Sequence, residues 1–80
     1  MQFIIVYDRD RGALIEGSPT AYEDRDIDRA LEHKFTLEKK FAHQENIEIA
    51  LLEGRDEEML QKTHGRYFRS LAEMRDRPVV

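Results

Sequence analysis

Residues Phe3-Ile4-Ile5-Val6-Tyr7 are apolar on both alternations of an extended chain. Phe3, Ile5 and Tyr7 fall on one side, Ile4 and Val6 on the other. β-Branched and aromatic residues in such a run suit a strand. A strand that is apolar on two sides is central in its sheet or covered twice. Any fold of this chain must therefore be built around residues 2–8.

Eighty residues leave room for one domain. A chain of that size hides only roughly 60–65% of its unfolded surface, so its own core is thin. Small proteins compensate with disulfides, a metal or a partner chain. There is no cysteine, which removes disulfides and thiolate zinc sites and fits a reducing compartment. The apolar start has no basic flank before it and meets charge at Asp8, unlike a signal peptide. No apolar run approaches the roughly 18–20 residues of a membrane span. The expected location is the cytoplasm, with no membrane partner. Thirteen basic against 17 acidic side chains give a net charge of −4, which disfavours tight nucleic-acid binding by the chain as a whole.

Asp10-Arg11-Gly12 reads as a turn, with Gly12 free to take positive φ. Ala13 to Gly17 is then a second strand, hairpinned to the first. Ser18-Pro19-Thr20 stops it, and Thr20 with Glu23 fits a capping box. The first helix is predicted to open in the low twenties and end near His43. Its apolar period runs through Ile27, Ala30, Leu31, Phe35, Leu37, Phe41 and Ala42, with Lys34 and Glu38 at the boundary. Glu23, Asp24, Asp26 and Asp28 at its start, and Lys39 and Lys40 at its end, complement the helix dipole.

Asn46 to Glu53 is the third strand, with Ile47, Ile49 and Leu51 on one face and Glu48, Ala50 and Leu52 on the other. Asp56 is an N-cap for a second helix, whose period runs through Met59, Leu60, Thr63, Tyr67, Leu71 and Met74. Gly65 falls inside that pattern and costs about 1 kcal/mol relative to alanine, enough to split or bend the helix. Arg75 to Val80 is expected to be a frayed tail, with Pro78-Val79-Val80 as an alternative short edge strand. The fold class is α+β: one domain over residues 1–76 and a tail over 77–80, in the order ββαβα. The antiparallel sheet has strand order 2-1-3, and both helices are expected on one face.

Helices on one face would leave the other bare. That face is expected to carry Ile4 and Val6, or else Phe3, Ile5 and Tyr7, together with Ala50 and Leu52 or their alternates; Ile4, Val6, Ala50 and Leu52 are the expected interface. Each large apolar side chain left wet forfeits about 1.5–3 kcal/mol, and strand three is an open edge besides. The sequence therefore predicts a homodimer, or a stable complex with another protein, meeting at the sheet face or edge.

Chemical motifs are weak. Asp24, Asp26 and Asp28 have the spacing of a calcium loop, but Arg29 stands where the loop needs glycine and Phe35 where it needs glutamate. Asp8 and Asp10, with Glu16, are offset by Arg9 and Arg11. His33, His43 and His64 include no pair at helical metal-clamp spacing. No metal or cofactor is expected, and no nucleophile is marked. Two alternatives to a pure interaction module stay open. Tyr7, His64 and Tyr67 are candidates to line a sheet–helix pocket for a small ligand or substrate. Lys62, Arg66 and Arg69 form a basic helix stripe beside Tyr67 and Phe68, the pattern of a nucleic-acid contact.

Several stretches resemble a group of small uncharacterised bacterial proteins. They are Val6-Tyr7-Asp8-Arg9 with Gly12 and Leu14, Asp28-Arg29-Ala30, Leu37-Glu38, and Thr63-His64 before Arg66-Tyr67-Phe68. The resemblance implies a bacterial cytoplasmic protein and names no site.

Overall fold

The computed structural model describes residues 1–68. Its elements are β1 (Gln2–Asp8), β2 (Ala13–Leu14), β3 (Thr20–Tyr22), α1 (Ile27–Lys40), β4 (Ile47–Glu53) and α2 (Glu57–Thr63). Short 3-10 turns at Asp24–Asp26 and Gly65–Tyr67 lead into α1 and follow α2.

The apolar segment takes the middle of a four-stranded antiparallel sheet. β4 runs along the whole of one side of β1, from Gln2 opposite Glu53 to Asp8 opposite Ile47. The other side is shared end to end. β2 pairs Tyr7 with Leu14 and Asp8 with Ala13, and β3 pairs Gln2 to Ile4 with Tyr22 to Thr20. The α+β class and the central place of residues 2–8 between segments 13–17 and 46–53 are those the sequence predicts. β3 is an addition. Thr20 forms part of it, so the capping box with Glu23 does not form, and α1 opens only after the 3-10 turn. Asp56 does cap α2: its Oδ1 accepts the Met59 N–H at 2.8 Å. Gly12 takes φ 63°, as its turn requires. Arg69, Leu71, Met74, the domain limit at residue 76 and the tail at 77–80 lie outside the described residues.

The placement of the helices corrects the expectation. They lie on opposite faces of the sheet. Ala30 and Leu37 of α1 pack on Ile4 and Val6, with Ile47, Ile49 and Leu51 beside them. Leu60 of α2, with Tyr67 and Phe68 after it, packs on Phe3 and Ile5, with Tyr7, Ala50 and Leu52 beside them. Both faces of β1 demand cover, and each helix supplies one. Ile4 at 0% exposure and Val6 at 1% are thus interior to this chain. The register also separates the four residues expected to share a bare face. Ala50 lies opposite Ile5 and Leu52 opposite Phe3, so both belong to the α2 side, while Ile4 and Val6 belong to the α1 side.

Candidate association surface

With both faces covered, the longest unpaired strand edge among the described residues is the outer edge of β4. Its geometry follows from the ladder to β1. The Arg9 amide donates to the Asn46 carbonyl at 2.7 Å, and the Gly54 amide to the Met1 carbonyl at 3.1 Å. In an antiparallel pair, hydrogen-bonding residues alternate with non-bonding ones. Residues 46, 48, 50, 52 and 54 therefore turn their amides and carbonyls toward β1. Ile47, Ile49, Leu51 and Glu53 turn theirs outward. The Ile47 amide is taken up by the Gln44 carbonyl at 3.1 Å. The outward amides of Ile49, Leu51 and Glu53 have no partner among the described residues. Residues 47–53 contain no proline, glycine or lysine, three of the residues that blunt an edge.

The flank of α1 next to that edge carries two large apolar side chains beside the Lys34–Glu38 ion pair. His33 Nδ1 lies 2.9 Å from the Tyr22 hydroxyl on β3, and Lys40 reaches Glu16 at 2.8 Å just beyond β2. Those contacts fix which side of α1 looks toward β2 and β3. Leu31 and Phe35 stand about 100° and 140° around the axis from buried Ala30, in the opposite sense from His33. They face the β4 side and are the two large apolar side chains left exposed among the described residues, at 37% and 59%. The helical stripe read from the sequence is thus wider than the sheet can cover.

The other expected site residues divide. Tyr7 and Tyr67 meet edge to face, their ring centroids 5.3 Å apart. The Tyr67 hydroxyl donates to Glu48, the cross-strand partner of Tyr7. Arg66 pairs with the same carboxylate, donates to the Tyr67 hydroxyl at 2.7 Å and lies over its ring at 4.3 Å. The Tyr67 hydrogen bond, supported by Arg66, holds the Glu48 carboxyl below its ordinary range against the opposing effect of burial. Burial, with Glu48 beside it, pushes the Tyr67 phenol up. This cluster ties the turn after α2 to the sheet, and its polar groups satisfy one another. The sequence signal for Glu48 was slight: an acid on the apolar third strand, opposite Tyr7. His64 ends α2, its amide donating to the Leu60 carbonyl at 2.8 Å, and makes no side-chain hydrogen bond to either tyrosine. Lys62 lies 3.7 Å from Glu58, one turn back.

A cleft of about 230 Å³ lies between Pro19 and Phe68, lined in part by Leu14 and Tyr67 and by neither Tyr7 nor His64. It falls below the roughly 300–1,000 Å³ of most small-molecule sites. Among the described residues, no group of three or more acids and histidines is placed to hold a metal, and no helix is long and apolar enough to cross a membrane. No protein-family model, curated protein or solved structure matches this chain, so its function is read from this surface.

Proposed function

We propose that the protein is a small interaction module that works as a homodimer, joined through the open edge of β4. The observation that carries this reading is the row of outward backbone groups at Ile49, Leu51 and Glu53, on a seven-residue strand whose outer side pairs with no other strand among the described residues. Edge pairing satisfies such groups and extends the sheet across two chains. A two-fold axis at Ala50 sets Ile49 opposite Leu51 of the second copy, both outward-bonding. It also sets the two Ala50 residues face to face, where side chains approach most closely and a small residue fits. A bacterial cytoplasmic setting belongs to the same proposal, in keeping with the motif resemblance and the absence of cysteine.

The ligand-pocket and nucleic-acid readings have less support. Tyr67 and Arg66 are engaged with Glu48, and Lys62 lies near Glu58. The test is residue-resolved amide exchange with sedimentation. In the dimer, the Ile49, Leu51 and Glu53 amides exchange slowly, and more slowly at higher concentration. Leu51→Pro removes an outward N–H and gives a monomer. Leu51→Ala loses the same side chain, keeps the N–H and stays a dimer. Fast exchange at all three amides at every concentration removes the reading.

A further inference from the structure

The exposed flank of α1 adds a feature the strand edge does not require. Leu31 and Phe35 lie on either side of the midpoint of the helix, which runs from Ile27 to Lys40. Asp28 precedes them and Lys39 follows, both exposed and at equal distance from that midpoint, about 160° and 180° around the axis from Ala30, on the outer rim of the flank. Two neighbouring lysines are already paired, Lys34 with Glu38 at 3.0 Å and Lys40 with Glu16, whereas Arg29 and Glu32 are in no ion pair among the described residues. Asp28 and Lys39 form no ion pair among the described residues. An apolar centre with an acid at one end and a base at the other matches its own copy turned end for end.

We propose that this flank of α1 docks against the same flank of a second copy, antiparallel, with Leu31 and Phe35 interleaved and Asp28 of each helix facing Lys39 of the other. The proposal rests on the β4 edge pairing for its geometry and names a second contact that pairing would bring together. α1 connects β3 to β4, which run parallel to each other on either side of β1, so it runs opposite to β4. A two-fold axis through a β4–β4 pair therefore lays the two α1 helices antiparallel on one face. α1 lies across the β1–β4 pair. Its axis and its copy's are then about two strand spacings apart, ~10 Å, within the range at which helices pack. The apolar residues left wet in the single chain become the centre of the contact, and the charges form its rim.

Sedimentation equilibrium on charge-reversal variants tests this. Each pair occurs twice across a two-fold contact, so Asp28→Lys or Lys39→Asp alone creates two repulsions. Either is expected to weaken association about ten-fold, and the double reversal to restore it to within about three-fold. Phe35→Asp, at a position exposed in the single chain, is expected to weaken association about a hundred-fold with circular dichroism unchanged. Single reversals that leave a dimer intact, while Leu51→Pro dissociates it, overturn the helix contact and spare the edge. A wild-type chain that stays monomeric to millimolar concentration overturns both.

Discussion

Asp8 ends β1 with a carboxylate almost wholly withdrawn from solvent. Its Oδ1 accepts the Asn46 side-chain amide at 3.1 Å and the backbone amides of Asp10 and Arg11 at 3.0 and 3.2 Å. The Asn46 bond foremost, then the backbone amides, hold this carboxyl below its ordinary value, although burial works the other way. The sign follows from linkage. At a pH between the lowered folded value and the ordinary one, the unfolded chain binds more protons, so acid favours unfolding. The stabilisation is complete above the ordinary aspartate value of about 3.9 and is lost as pH falls through the folded one. Asp8→Asn should flatten the fall in stability between about pH 5 and pH 2, read by urea unfolding across that range. It should not abolish the fall, because Asp24, Glu48 and Asp56 are shifted in the same direction. The sequence marked Asp8 only as half of a charge-paired turn. Its main partner is 38 residues away, and only the pairing of β1 with β4 brings Asn46 to it.

At the scale of elements, the glycines separate two kinds of break. Gly12 holds φ 63° in the β1–β2 turn, a backbone region where an L side chain costs roughly 1–2 kcal/mol. Gly65, between α2 and the turn that follows, has ordinary φ and open space where a Cβ would stand. Gly12→Ala should therefore destabilise the fold by about 1 kcal/mol, whereas Gly65→Ala should stabilise it by about 0.5 kcal/mol through the unfolded chain. Thermal unfolding of the two variants side by side checks both signs. Much at this scale was legible: β1 from its apolar run, the first hairpin from Gly12, α2 from Asp56, the break at Gly65. β3 was not. Thr20-Ala21-Tyr22 is too short to carry a pattern, and it becomes a strand because β2 leaves the first half of β1 unpaired. The opening of α1 was misplaced for the same reason, since Thr20 is held by Ile4 and not by a helix.

For the whole molecule, the decisive arrangement is one layer of strands between two helices. The doubly apolar β1 implied cover on two sides, and the chain provides it from within. The alternation of β1 and β4 shows that each face is apolar. It does not say which helix goes to which face, because that depends on how the connections at 23–26 and 54–56 leave the sheet. Ile4 and Val6 are therefore interior and not on a bare face. The surface left over is lateral: the β4 edge and the flank of α1 with Leu31 and Phe35. The proposed association there would couple folding to concentration. Above the dissociation constant, a hundred-fold increase in protein should raise the midpoint of thermal unfolding by about 5 °C. Leu51→Pro should show no such dependence in differential scanning calorimetry.

The two borders of the sheet are unequal. One is the continuous β4. The other is divided between the two-residue β2 and the three-residue β3, with a gap at residues 15–19. A ribbon that joins through its intact border uses that border up, and the broken one offers no template for the next chain. Growth by strand addition would then be self-limiting, with two molecules closing the proposed assembly.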